Sequence, residues 1–162
     1  MRRFFVVALF SITAAACSSA DAALDGAMAQ ATTVDPDLPT VLVYKSPTCG
    51  CCNGWVEHME AAGFVVDARN TTDLMTVKRD GGVPPQLSSC HTAIIDGYVV
   101  EGHIPAEQVK RLLAERPDLA GIAVPGMPTG SPGMEGANAQ PYQVFSFSHS
   151  GDAAVFADVD PR

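Results

Sequence analysis

The chain has 162 residues, of which 47% are hydrophobic and 17% are charged, and its formal net charge at pH 7 is −8. This acidic balance, without any run of basic residues, argues against nucleic acid as a partner. After removal of an N-terminal leader, about 120 residues remain, which is enough for one hydrophobic core and one domain.

The N-terminus has the pattern of an export signal. Two arginines precede an apolar run from Phe4 to Ala16 that is too short to span a bilayer. Cys17 then follows three alanines, as at the cleavage and acylation site of bacterial lipoproteins, and cleavage after Ala29 is the alternative. We predict a signal peptide at residues 1–16 and an exported protein, with any membrane attachment through a lipid on Cys17.

Residues 17–38 are rich in Ala, Ser, Thr and Asp and lack an apolar period, so we predict a flexible tether. The folded domain is expected at residues 39–162. Its first half predicts two pairs of a strand and a helix, bounded by the Pro and Gly residues of the sequence. The pairs are a strand at 40–45, a helix at 51–63, a strand at 64–69 and a short helix at 72–82 capped by Thr72 or Asp73.

The second half begins with Asp96-Gly97 between two apolar runs, which predicts a β-hairpin over residues 92–102. Pro105 opens a predicted helix at 105–118. Residues 117–141 are rich in Pro and Gly and predict an irregular loop, and residues 142–159 alternate as a closing hairpin. The order β-α-β-α-β-β-α matches the thioredoxin core, so the predicted fold class is α/β: a thioredoxin-like three-layer domain with a C-terminal β-hairpin.

Three cysteines lie in the stretch SPTCGCCNGW, after the first strand and at the start of the first helix. Unpaired N–H groups at a helix N-terminus stabilise thiolates, so Cys49, Cys51 and Cys52 are expected to be acidic thiols. Cys90 precedes the hairpin at a point expected to face this helix. Four converging thiols would favour a soft ion such as Cu(I), and adjacent Cys51 and Cys52 suit sulfur bridges between several copper ions.

Three other interpretations of these cysteines stay open. Four cysteines in an exported domain most often form two structural disulfides. Four cysteines also satisfy a tetrahedral zinc site, although zinc knuckles usually separate each pair by two to four residues. A reversible disulfide between Cys49 and Cys52 would instead make the protein a thiol–disulfide oxidoreductase. In that case Cys51 stands where thioredoxin-like enzymes commonly have proline.

Similarity to a known family is carried by three segments: YKSPTCGCCNGWVEHMEAAGF, SSCHTAIIDGYVVEGHIPAEQVKRLL and AVPGMPTGSPGME. They resemble the CopG-type family of bacterial periplasmic copper-resistance proteins, long catalogued as a domain of unknown function with a thioredoxin-like fold. The resemblance spans residues 41–155. It implies a periplasmic protein that binds Cu(I), in a sulfur-bridged cluster, through Cys49, Cys51, Cys52 and Cys90.

The resemblance also implies a role in copper resistance, either by handing copper to an efflux system or periplasmic chaperone or by interconverting Cu(I) and Cu(II). Whether the protein is an enzyme, as a copper oxidoreductase, or only a metal-binding protein stays open. The secondary candidate ligands are Met127 and Met134, whose thioethers suit Cu(I), and His91 beside Cys90. We do not expect the remaining histidines to bind metal. His58 is expected at the surface or next to a ligand without binding the ion itself, and His103 and His149 are expected in solvated loops.

Overall fold

A computed structural model of the protein describes residues 33–162. The predicted signal peptide and most of the predicted tether lie outside the described residues, so their structure stays a prediction. Among residues 33–162, no helix is both long and apolar enough to cross a membrane. Near the start of this part, the backbone N–H of Asp35 donates a hydrogen bond of 2.9 Å to the carbonyl of Gly63.

The described chain forms one sheet of seven strands, which are β1 (Val41–Lys45), β2 (Val66–Asn70), β3 (His91–Ile95), β4 (Tyr98–Glu101), β5 (Gly121–Ala123), β6 (Tyr142–Phe147) and β7 (Ala153–Val159). Their order across the sheet is β2-β1-β3-β4-β5-β6-β7. The pairs β1–β2 and β4–β5 are parallel, and the other four pairs are antiparallel.

Helices cover both faces of this sheet. The larger core lies between the sheet and two helices, α1 (Gly50–Ala61) and α3 (Ala106–Glu115), whose apolar side chains are buried there. The third helix, α2 (Leu74–Asp80), contacts β1 and β3, and its buried Lys78 bonds to side chains of the opposite sheet face. The protein is therefore a mixed α/β structure, as predicted.

The predicted elements are confirmed, with ends shifted by up to three residues. The β3–β4 hairpin turns at Asp96 and Gly97, whose φ angles are 48° and 87°. Asp73 caps α2 by accepting a hydrogen bond of 3.2 Å from the N–H of Thr76. The closing hairpin is present as the antiparallel pair β6–β7.

One prediction about the proline-rich segment is wrong. Residues 117–141 were expected to be irregular throughout, but they contain β5, which pairs in parallel with β4. Gly121 permits this pairing, because a Cβ atom there would lie 2.1 Å from the carbonyl oxygen of Val99. A three-residue strand is too short to show periodicity in the sequence, and its partner lies some twenty residues away along the chain.

Candidate metal centre

The four predicted cysteines converge at the N-terminal end of α1. Cys49 occupies the N-cap of that helix, Cys51 and Cys52 lie in its first turn, and Cys90 immediately precedes β3. The sulfurs of Cys49 and Cys51 are 3.5 Å apart, as are those of Cys52 and Cys90. All four sulfurs lie within 4.8 Å of one another, so one small ion or cluster could contact every one of them.

Two of these sulfurs are covalently joined. Cys49 and Cys52 form a disulfide, whereas Cys51 and Cys90 are free thiols. Cys52 is fully buried, and the other three cysteines are half-buried. The site thus combines a C-x-x-C disulfide with two further thiols, and reduction of the disulfide would give four free thiols.

The position of Cys90 is fixed by a buried carboxylate. Glu101 on β4 accepts a hydrogen bond of 2.6 Å from the backbone N–H of Ser89 and one of 2.7 Å from the hydroxyl of Thr92. The ammonium of Lys78 forms a salt bridge to the same carboxylate and donates a 3.0 Å hydrogen bond to Thr92. Glu101 and Lys78 are both buried, so the backbone before Cys90 is hydrogen-bonded to one member of a buried salt bridge.

Burial changes the acidity of Cys90. Desolvation, followed by the nearby Cys51, raises the pKa of the Cys90 thiol to about 12. The expectation of acidic thiols therefore does not extend to Cys90. A metal ion that binds this sulfur has to displace its proton.

His103 is a neighbour of Cys90 that the sequence analysis missed. The prediction that it is solvated is wrong, because its side chain is fully buried. Its Nε2 atom lies 2.8 Å from the Cys90 sulfur, and its Nδ1 atom lies 2.8 Å from the carbonyl oxygen of Pro132. A carbonyl oxygen can only accept, so Nδ1 carries the proton and the Nε2 lone pair points at Cys90.

The sequence did contain a signal for this contact. The hairpin register pairs Thr92 with Glu101, and Gly102 continues it by donating a 3.0 Å hydrogen bond to the carbonyl of His91. One step further outward, Cys90 lies opposite His103. The Asp96-Gly97 turn therefore predicts this neighbour once the register is extended beyond the ends of the strands.

His91, a predicted secondary candidate, is also fully buried. Its Nδ1 atom is 3.5 Å from the Cys90 sulfur, and its ring lies between those of Trp55 and His103, at centroid distances of 4.5 Å and 5.0 Å. Its Nε2 atom is buried without a hydrogen-bond partner. Burial lowers the pKa of His91 well below its usual value and also lowers that of His103, so both imidazoles are neutral at pH 7.

The two candidate methionines lie in different parts of the loop between β5 and β6. Met127 is 50% exposed, and its sulfur is 4.0 Å from that of Cys51. Met134 is half-buried, and its backbone closes a turn by bonding to Gly130 and Ser131. Met127 therefore lies at the edge of the cysteine cluster. Met134 lies in a turn of the loop between β5 and β6, at the point where this loop contacts α1.

Two glycines let this loop approach α1. A Cβ atom on Gly133 would lie 2.4 Å from the carbonyl oxygen of Cys51, and one on Gly54 would lie 2.9 Å from the Cα atom of Gly133. The φ angle of Gly133 is +80°, which disfavours other residues. The backbone of the loop therefore lies directly on the first turns of α1, beside the cysteines.

The other two histidines have no contact with the cysteine sulfurs in the described structure. His58 is half-buried, and its Nε2 atom accepts a 3.0 Å hydrogen bond from the N–H of Ala106, the first residue of α3. It therefore joins α1 to α3. His149 is exposed in the β6–β7 turn, as predicted.

Comparison with solved structures identifies the family. Two structures, described as "Copper resistance protein copG", form 1 and form 2, each share 46% sequence identity with the chain. Each match has a TM-score of 0.72 and covers 76% of this chain and 99% of the other. The chain belongs to the CopG family.

Two sequence searches complete the comparison. Residues 87–134 match the family model described as "Protein of unknown function, DUF411". This segment includes Cys90, both buried histidines and the loop with Met127 and Met134. A search of curated protein sequences found no match.

Proposed function

We propose that this CopG-family protein binds Cu(I) in copper resistance and holds it at Cys49, Cys51, Cys52 and Cys90. The observation that carries the proposal is the convergence of four sulfurs within 4.8 Å. Thiolates are soft ligands that favour Cu(I), and the two solved relatives are described as copper resistance proteins. Copper is the cargo of this site, and loading it fully requires prior reduction of the Cys49–Cys52 disulfide.

The donor set suits more than one copper ion. Thiolate sulfur can bridge soft ions, and the spacing of 3.5 Å within the pairs Cys49–Cys51 and Cys52–Cys90 places the sulfurs close enough for such bridges. Met127 would complete the cluster at its exposed edge, with Met134 and His91 as further candidate ligands. We infer a multinuclear thiolate site.

The sheet supports a finer description of the fold. We propose that the strands β2-β1-β3-β4, with β1 and β2 parallel and the others antiparallel, form a thioredoxin-like core with helices on both faces. In such a core the cysteines lie after the first strand, which is where α1 begins here. The sheet then continues through β5 into the C-terminal hairpin.

We infer the cellular role from the predicted leader sequence and from the family. An exported, periplasmic protein would receive copper outside the cytoplasm and pass it to an efflux system or a periplasmic copper chaperone. Two Cu(I) ions that each gave one electron to the Cys49–Cys52 disulfide would become two Cu(II) ions and leave two thiolates, and the reverse transfer would re-form the disulfide, so this disulfide would permit interconversion of Cu(I) and Cu(II). A lipid on Cys17 would keep such a protein at the membrane.

The test is an anaerobic titration of the reduced protein with Cu(I) in competition with a chelator. We expect more than one copper ion per chain, and we expect Cys51→Ser to lower this number. Cys17→Ser is the matched control, because it removes a cysteine outside the described site. Weak uptake by the wild type, or equal uptake by the two variants, would refute the proposal.

A second candidate function is thiol–disulfide exchange, and the observed Cys49–Cys52 disulfide favours it. Cys51→Ser separates the two functions, because it spares the redox pair but removes a bridging thiolate. An oxidoreductase would reduce a test disulfide at the same rate in this variant and would lose activity in Cys49→Ser. Loss of copper without loss of exchange in Cys51→Ser would show that both functions are present.

A further inference from the structure

Lys45, the last residue of β1, is a buried cation without a counter-charge. Only 6% of its surface is exposed, and its ammonium donates to two neutral acceptors, the side-chain oxygen of Asn70 at 3.0 Å and the carbonyl of Ser46 at 3.4 Å. In the described part of the chain it forms no salt bridge, whereas Lys78, the other buried lysine, is paired with Glu101. A buried charge without an opposite charge destabilises a fold, so packing alone does not account for a lysine at this position.

We propose that Lys45 is the counter-ion of the sulfurs in the reduced protein and that its charge makes the Cys49–Cys52 disulfide easier to reduce. Reduction converts two neutral, bonded sulfurs into sulfurs that can carry negative charge, and a nearby ammonium stabilises such a charge. Lys45 acts on the sulfurs through its charge and is not a ligand. The proposal deepens the proposed function, because copper loading requires the reduced form, but it can be tested without copper.

The strand register places Lys45 on the face of the sheet that α1 covers. Side chains alternate along a strand, so Lys45 shares a face with Val41 and Val43, which belong to the larger core. Across the sheet it lies opposite His91, the residue that follows Cys90. Burial is the main cause that lowers the pKa of His91, and the charge of Lys45 is one of the further causes. The charge of Lys45 is therefore felt at the end of the sheet where the cysteines lie.

The contact with Ser46 brings the ammonium to the start of α1. The Ser46 carbonyl oxygen accepts from the Lys45 ammonium at 3.4 Å and also from the backbone N–H of Cys49 at 3.2 Å. Cys49 is the N-cap of α1, and the first turn of this helix has neither a capping side chain nor an acidic residue. The ammonium and the positive end of the helix dipole thus meet beside Cys49. After reduction, the Cys49 sulfur supplies the negative charge that balances them.

Glutathione, a thiol reductant, can perform this reduction. Two glutathione molecules give one electron each, and their sulfurs join as glutathione disulfide. The bond between Cys49 and Cys52 breaks, and each of its sulfurs receives one electron. Of the two protons that glutathione releases, one goes to the fully buried Cys52. The other goes to solvent, because the ammonium of Lys45 balances the charge on Cys49.

The test is the equilibrium of the Cys49–Cys52 disulfide with glutathione in the protein without added metal. A background of Cys17→Ser and Cys51→Ser leaves one further thiol, and alkylation followed by peptide mass spectrometry counts the reduced and oxidised chains. Lys45→Met keeps a side chain of similar length but removes the charge. It should lower the equilibrium constant for reduction at least about tenfold, which corresponds to about 30 mV.

Two further variants separate charge from structure. Lys45→Gln can still donate to Ser46 and Asn70 but carries no charge, so it should shift the equilibrium in the same direction. Lys110→Met is the matched control, because the exposed Lys110 donates to the Ala62 carbonyl at the opposite end of α1. It should leave the equilibrium unchanged. Equal equilibria in Lys45→Met and Lys110→Met, or an unchanged equilibrium in Lys45→Gln, would overturn the proposal.

Urea unfolding of both redox forms distinguishes a counter-ion from a residue that only supports the fold. A counter-ion predicts that Lys45→Met destabilises the reduced form relative to the oxidised form, by the same factor as the glutathione equilibrium shifts. Equal changes in the two forms would contradict the proposal. Failure of Cu(I) uptake by the reduced wild type would refute the proposed function but would leave the role of Lys45 in this equilibrium intact.

Discussion

Cys90 is the residue at which the sulfur and nitrogen donors meet. Its sulfur lies within 3.5 Å of Cys52, His91 and His103, and its backbone follows the residue that Glu101 holds. The free thiol is protonated near neutral pH, because burial raises its pKa to about 12. The surroundings of Cys90 therefore disfavour a free thiolate, and a bound metal has to replace the thiol proton.

The salt bridge beneath Cys90 makes a testable contribution to stability. Glu101→Gln would leave the buried ammonium of Lys78 without a counter-charge, and we expect the free energy of unfolding to fall by about 3–5 kcal/mol. The matched control is Glu115→Gln on α3, whose partner Arg111 is exposed, and it should cost less than about 1 kcal/mol. Urea unfolding measures both, and equal losses would contradict this account.

His58 makes the stability depend on pH. Burial lowers the pKa of its folded-state imidazole below 6.5, and the neutral ring accepts from Ala106. Above pH 6.5 the His58 imidazole is mainly neutral in both the folded and the unfolded state, so its full contribution to the free energy of unfolding is present. As the pH falls below that value, the unfolded state gains a proton first, so stability decreases until the folded pKa is reached.

The variant His58→Gln should remove part of this acid destabilisation. His149→Asn is the control and should retain all of it, because that ring is exposed. Urea unfolding at a series of pH values between neutral and mildly acidic tests the difference. Parallel pH profiles for wild type and His58→Gln would contradict the assigned role.

At the scale of elements, the site depends on where α1, the β3–β4 hairpin and the loop after β5 meet. The helix supplies three cysteines, the hairpin supplies Cys90 and both buried histidines, and the loop supplies Met127 and the Pro132 carbonyl. Contact between loop and helix requires Gly133, because its Cβ position is already occupied by α1 backbone.

Substitution at Gly133 tests this contact. Gly133→Ala combines a positive φ angle with a clash, whereas Gly82→Ala has a similar φ of +69° and no atom within 4 Å. We expect Gly82→Ala to cost about 1–2 kcal/mol and Gly133→Ala clearly more. Proteolysis of the loop should also speed up only in Gly133→Ala. Equal stability of the two variants would show that the contact is unimportant.

The sequence predicted these elements better than it predicted their contacts. Strong local signals, such as Asp96-Gly97 and the cysteine stretch, identified the hairpin and the convergence of four cysteines. His103 was missed because its partner lies across the hairpin, and β5 because a three-residue strand has no period. Burial of Glu101 and Lys78 was also unforeseen, since charged residues are rarely buried unless paired and the pairing is not local.

For the whole molecule, metal binding and folding are linked. Copper bound only by the native state should raise the stability of the reduced protein, by about 4 kcal/mol at a free concentration one thousand times the dissociation constant. The oxidised protein should gain less, because the disulfide occupies two of the four thiols. Anaerobic thermal unfolding with and without Cu(I) measures this. Equal shifts in the two redox forms would show that Cys49 and Cys52 do not bind the metal.

The hydrogen bond between Asp35 and Gly63 shows where the described chain begins relative to the cysteines. Gly63 lies just beyond the C-terminal end of α1, whereas the thiols lie at its N-terminal end, about 18 Å away for a helix of 12 residues. Thr33, the first described residue, therefore lies near the end of α1 opposite the cysteines. An attachment at that end would leave the cysteine end accessible to a donor or acceptor of copper.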